Sequence, residues 1–147
     1  MPSKDINDAV KKIRDVWDQI RQEYAKHSPG KYLYLSCIYR SPQEQLELFK
    51  KGRIKGADGK WYIQDKAKIV TNVDGSTVLG AHNYKPSRAI DVAVVDNQTG
   101  KFLWEEKHYL CLGPIAKAVG LEWGGYWKTI KDLPHIQVPN YKEYKDA

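Results

Sequence analysis

The chain has 147 residues, a formal net charge of +6, 41% hydrophobic and 29% charged side chains. That length can bury a real core without covalent staples, and the composition excludes a disordered chain. The positive charge favours a polyanionic partner, and both nucleic acid and the bacterial envelope qualify. No nucleic-acid-binding motif accompanies the charge, so nucleic acid is not an expected partner.

The chain opens with MPSKDINDAVKK, which is charged and lacks an apolar stretch, so no secretion signal is expected. No apolar run is long enough for membrane insertion. Residues 4–26 carry Ile6, Val10, Ile13, Val16, Trp17, Ile20 and Tyr24, a spacing of three and four that predicts an amphipathic helix. Ser3 or Asp5 can cap it, and Pro29-Gly30 ends it. KYLYLSCIY at 31–39 reads as a strand. Ser41-Pro42-Gln43-Glu44 has the pattern of a capping box, which opens a second helix running to about Lys51.

Residues 52–80 are rich in glycine and charge, which predicts a long loop with a short hairpin near Gly59 and Trp61. A loop of that length in a small domain is usually functional. AIDVAVV at 89–95 is a strand, 96–100 a turn, 104–119 a helix closed by Gly120, and HIQV at 135–138 a last strand. The tail YKEYKDA reads as loose. With no regular alternation of strand and helix, the expected fold class is α+β: one domain spanning 1–147, core about 4–138, with a small antiparallel sheet and flanking helices.

Cys37 lies in an apolar run and Cys111 in a predicted helix; without a CxxC pair, both read as buried reduced thiols. The chemistry is expected elsewhere. Asp91 stands inside an apolar strand, where a carboxylate is costly unless paired or bound to metal. An ion pair with Arg88 or Arg40 and a metal are both open explanations on spacing alone. His82 ends a loop nine residues earlier, and His135 follows Asp132-Leu133-Pro134. Two histidines and one carboxylate match a catalytic zinc site whose fourth position is left to water. Such a site lowers the water's pKa to roughly 7 and needs a nearby carboxylate to move the proton. Asp132, tied to His135 through a stiffening proline, suits that role.

Three segments carry a family resemblance. AHNYKPSRAIDVAV resembles the SxHxxGxAxD signature of the zinc D-Ala-D-Ala carboxypeptidase and L-alanyl-D-glutamate endopeptidase family, in the HNxxPSxAxD form common in phage lysins. LEWGGYWKTIKDLPHIQ resembles the family's EWGGDW and D.PH.Q block, and IYRSPQEQLELF its Y-R-S-x-x-E-Q block. The three come in the family's order over residues 38–137. The resemblance implies one zinc per chain held by His82, Asp91 and His135, with Asp132 as general base and Arg40 polarising the substrate's carbonyl. It implies Gln45 as an aid to Arg40, Trp123 and Gly124 as the wall beside the metal, and the fold shared with hedgehog signalling domains; Tyr84 and Tyr126, from their places in the expected site loops, join Gln45 and Trp123 as candidate substrate-binding residues.

The implied function is a zinc-dependent peptidoglycan peptidase cutting the stem peptide at L-Ala-D-Glu. It would act as a monomeric phage endolysin, made in the host cytoplasm and released through a holin. The alternatives are a D-Ala-D-Ala carboxypeptidase and a non-catalytic zinc-binding module of the same fold. The sequence departs from the family pattern where Gly80 replaces a serine, in the longer 85–87 loop, and where Tyr126 replaces an aspartate, all of which bear on substrate preference. His27 reads as a helix-dipole partner and His108 as surface. Trp61, Tyr84, Tyr126 and Trp127 fall in the expected site loops, with core or rim packing as the simpler role.

Overall fold

The computed structural model describes residues 1–146. The expected amphipathic helix is present but starts later. Ile6–Asp8 form a separate 3₁₀ turn capped by Asp5, and the helix proper, α1, is Lys11–His27. The break exists because residues 9 and 10 pair with another part of the chain: Ala9 bridges Ser87, and Val10 donates its N–H to the Ser87 carbonyl at 2.8 Å. α1 buries Ile13, Trp17, Ile20 and Tyr24, the face that the spacing predicts.

β1 (Lys31–Cys37) is followed by α2 (Pro42–Phe49). The capping box is present: the Ser41 hydroxyl accepts the Glu44 N–H at 3.1 Å, and Glu44 accepts the Ser41 N–H at 2.9 Å. The long loop contains the expected hairpin, β2 (Arg53–Lys55) with β3 (Trp61–Ile63). Its later part packs on α2. Gly75, at φ +82°, lies so near Gln45 that an added Cβ would stand 2.8 Å from the Gln45 Cβ.

β4 (Ala89–Asp96) is the centre of the main sheet, which is antiparallel throughout. β1 covers one edge of β4. β5 (Phe102–Leu103) and β7 (His135–Gln137) share its other edge, and β6 (Glu122–Trp123) lies outside β7. β5 and β6 escape a sequence reading because two-residue strands carry no periodicity. The fold is therefore α+β with a small antiparallel sheet and flanking helices, as expected.

Ile90, Val92 and Val94 are fully buried on one face of β4 and belong to the main core with α1 and α3 (Leu112–Ala118). α3 is shorter than the predicted 104–119 helix, because a 3₁₀ turn at Glu106–His108 precedes it. That turn seats Tyr109, whose hydroxyl donates to Leu103 O at 2.7 Å and accepts from Val94 N at 3.1 Å. His108 is not the surface residue expected: its side chain is only 12% exposed. Cys37 is a buried free thiol as expected, whereas Cys111 is only half-buried.

The tail also departs from expectation. Tyr141–Glu143 form a 3₁₀ turn, Tyr141 packs edge-on against Tyr84, and Asp146 accepts the Lys11 N–H at 3.2 Å. Val10 offers no side-chain cap, so Asp146 serves the first turn of α1 instead.

Candidate metal centre

Sheet register brings the key side chains together. Asp91 on β4 pairs directly with His135 on β7, and with Cys37 on β1. His82 comes from a 3₁₀ turn, Ala81–Asn83, stapled between two backbone bonds: Arg40 N–H to His82 O and Arg88 N–H to Ala81 O, both 2.9 Å. Three atoms then converge. His82 Nε2 lies 3.1 Å from Asp91 Oδ1, His135 Nδ1 lies 3.2 Å from the same oxygen, and the two nitrogens are 3.2 Å apart.

The outer partners fix what these atoms present. His82 donates from Nδ1 to the Ile38 carbonyl at 2.7 Å, which leaves Nε2 with its lone pair. His135 donates from Nε2 to Gln137 Oε1 at 2.7 Å, which leaves Nδ1 as a lone pair. Two ring nitrogens and a carboxylate oxygen therefore meet in a buried space, where a proton or a metal cation must answer the carboxylate. A zinc ion with bonds of about 2.0–2.1 Å sets its tetrahedral ligands about 3.3–3.4 Å apart. The observed triangle is within a few tenths of an ångström of that, so the residues present fit the ion. Without an ion a proton answers the same carboxylate: burial works to lower the pKa of His82, but Asp91 overrides it and lifts it to about 10, so zinc would take the place of a proton on Nε2. Asp91 is held well below the usual carboxylate range; its burial opposes this, and the two histidines prevail.

Asp91 also answers the alternative left open by the sequence. Its second oxygen, Oδ2, is 3.5 Å from Arg40 Nη2, while Arg88 turns away to the Tyr141 carbonyl and the Tyr84 ring. The ion pair and the histidine contacts coexist, one on each carboxylate oxygen. Arg40 Nη1 donates to Gln45 Oε1 at 3.2 Å. Gln45, buried on α2, also donates to the Val73 carbonyl at 3.0 Å and so ties Arg40 to the long loop.

Asp132 Oδ2 stands 3.8 Å from His135 Nδ1, and its side chain is 43% exposed. Its pKa is raised, first by desolvation and then by the nearby Asp91 charge. The loop that carries it is gripped from below: Asp132 N–H donates to Gly124 O at 3.1 Å, and Trp123 Nε1 donates to Leu133 O at 2.6 Å. A Cβ on Gly124 would fall 2.5 Å from Asp132 O and 3.1 Å from the His135 Cβ. Gly124→Ala is therefore expected to cost about 1–3 kcal/mol through overpacking and to displace Asp132. Denaturant unfolding checks this, and an unchanged midpoint would contradict it.

Two adjoining cavities flank the triangle. The larger, about 780 Å³, runs between the 69–73 loop, Arg40, and the segment from Trp127 to Asp132. The smaller, about 420 Å³, reaches His82, His135, Gln137 and Tyr141. Arg40, Gln45, Thr71, Val73, Trp127 and Asp132 line both.

The expected substrate-binding residues divide. Gln45 lines the cleft. Trp123 does not: it is 4% exposed in the core, and its indole supports the Asp132 loop. Tyr126 packs edge-on against Trp123 and over Gly113 on α3, away from both cavities. Tyr84 is held between Arg88 and Tyr141, likewise outside them. Trp127 lines both cavities, its ring 4.9 Å from that of His135, and Tyr141 lines the smaller one.

Sequence reasoning missed Asn83, Ser87 and Gln137 as supports. Asn83 donates to Arg40 O at 2.9 Å and accepts from Gly80 N at 2.8 Å, and Ser87 Oγ donates to Ile38 O at 2.7 Å. Gln137 had a signal, since it lies two residues from His135 on one strand and so on the same face.

This α+β chain is thus organised around a two-histidine, one-carboxylate centre at the end of its sheet. Residues 74–138 match the family described as D-alanyl-D-alanine carboxypeptidase. The chain is 37% identical over 112 residues to the peptidoglycan L-alanyl-D-glutamate endopeptidase CwlK of Bacillus subtilis, covering 69% of this chain and 58% of that protein. It also aligns with a crystal structure of the L-Ala D-Glu endopeptidase ChiX of Serratia marcescens, at 25% identity and a TM-score of 0.49, covering 83% of this chain and 78% of that one. The resemblance read from the three sequence blocks holds: the chain is related to this family of carboxypeptidases and endopeptidases. It spans 58% of the length of that Bacillus subtilis relative.

Proposed function

We propose that the chain is a zinc-dependent peptidoglycan peptidase that cuts the stem peptide between L-Ala and D-Glu. The observation that carries this reading is the 3.1–3.2 Å triangle of His82 Nε2, Asp91 Oδ1 and His135 Nδ1, with Asp132 beside it. Similarity to a named L-alanyl-D-glutamate endopeptidase supports that choice of bond. A zinc ion held by the three residues would supply Lewis acidity, lowering the pKa of a water and polarising a carbonyl. Asp132 takes the proton of the attacking water and passes it to the leaving amine. Arg40, already turned toward Asp91, offers its remaining N–H groups to the carbonyl oxygen as negative charge develops. Gln45 holds the guanidinium in place.

Asp132 also weighs against a zinc-binding module without activity, since binding alone needs no base. In this reading the 147 residues form one peptidase domain that works as a monomer on the bacterial wall. No helix among the described residues is long and apolar enough to cross a membrane. Release of a phage endolysin through a holin is the proposed route to the wall, suggested by the HNxxPSxAxD form of the motif.

The reading has a pH signature. Asp132 must be ionised to accept a proton, and its pKa is raised. Activity is therefore expected to fall on the acid side as Asp132 takes up a proton. A kcat/KM profile with no acid limb would contradict the assignment.

Digestion of purified peptidoglycan, followed by mass spectrometry, tests the function. New D-Glu amino termini that vanish with chelator and return with zinc are expected. Release of terminal D-Ala alone would favour D-Ala-D-Ala carboxypeptidase activity, the reading that the matched family's description suggests. No zinc-dependent product at all would sink both.

A further inference from the structure

The larger cavity has a region that the smaller one does not share. Its lining includes Leu48, Lys51, Val70, Lys128, Ile130 and Lys131. Among the described residues, Asp91 and Asp132 are the only carboxylates lining this cavity. Asp91 is already engaged by Arg40 and the two histidines, and Asp132 faces His135. Three lysines therefore enter a concave space without a free anion to answer them. Neither Lys51 nor Lys128 forms an ion pair among the described residues. Lys131 reaches Glu106 only at 3.9 Å, with both side chains more than half exposed, a pairing that solvent largely screens.

A cleft of one sign with apolar walls concentrates ligands of the other sign. Leu48, Val70 and Ile130 supply such walls here, and residues 69–73, which line the same cavity, contribute no charge. The cationic region adjoins Arg40 and Asp132, so a ligand that extends along the cleft from the reacting bond meets the lysines.

We propose that Lys51, Lys128 and Lys131 form a carboxylate-binding arm that selects stem peptides with free carboxyl groups over those whose carboxyls are amidated. This deepens the peptidase reading and rests on it for the identity of the substrate. In a stem peptide cut before D-Glu, the glutamate's own free carboxylate is the nearest anion to the reacting bond. The arm sets specificity and takes no part in bond breaking.

The test uses matched stem peptides that differ only in whether the glutamate carboxyl is free or a carboxamide. The zinc-loaded chain is expected to cleave the free acid about tenfold more efficiently, a margin of the size that a few partly exposed charge pairs provide. The margin should shrink as salt is raised. In the combined variant Lys51→Met, Lys128→Met and Lys131→Met the two peptides should be cleaved alike, while the rate on the amidated peptide stays near that of wild type. Equal cleavage of both peptides by wild type, or an unchanged preference in the variant, would overturn the arm. A binding titration followed by tryptophan fluorescence separates this from failure of the peptidase reading, because Trp127 lines the same cavity. If neither peptide is cut, the peptidase reading fails. Tighter binding of the free acid by wild type, lost in the triple variant, would still support the arm, and equal binding of both peptides would end it.

Discussion

Asp132→Asn is expected to lower turnover by about 10²–10⁴-fold while one zinc per chain is retained. The substitution keeps the size and much of the hydrogen bonding of the side chain but cannot accept a proton. Asp132 Oδ2 lies 3.8 Å from His135 Nδ1, beside the triangle and not within it, so its loss leaves the three converging atoms in place. The loop is held by backbone and by Trp123, not by the carboxylate, so stability should change little. Metal analysis and steady-state kinetics on one preparation check this. Near-normal turnover would remove Asp132 as the base, and loss of zinc would make it a ligand.

His82→Ala should act in the opposite order, abolishing metal first and activity as a consequence. Removing Nε2 leaves two donors, and it opens space beside a buried carboxylate that has lost a partner. In the wild-type chain, zinc at a thousandfold excess over its Kd adds about 4 kcal/mol to stability by mass action. The variant should lose that gain, so its melting temperature should not respond to zinc. A variant that still melts higher with zinc, at unchanged stoichiometry, would show that His82 is not a ligand.

Asp91, His135 and Asp132 were legible in the sequence for different reasons. Asp91 stands out because its neighbours Ile90, Val92 and Val94 go to the core, and a carboxylate among them needs a partner. His135 and Asp132 stand out through the proline between them and their family block. The capping box that sets α2 behind Arg40 is local chemistry, and it formed as read. Local chemistry could not reveal that residues 9 and 10 pair with Ser87, so the first helix begins at Lys11 and not near residue 4. Nor could it orient neighbouring aromatics. A 3₁₀ turn at Gly124–Tyr126 sends Tyr126 over Gly113 and Trp127 into the cleft, though the two are adjacent in sequence. Trp123 resembles a cleft residue by its motif, yet β6 places it under the loop that carries Asp132. Asn83 and Gln137 support the site through partners made only by folding, and Cys37 reaches it through its register against Asp91.

The most direct test of the centre is a crystal of the zinc-loaded chain measured at the zinc absorption edge. One anomalous peak is expected about 2.0–2.1 Å from His82 Nε2, Asp91 Oδ1 and His135 Nδ1, with no peak of comparable height elsewhere. A strong peak at other residues, or none at that triangle under saturating zinc, would contradict the account.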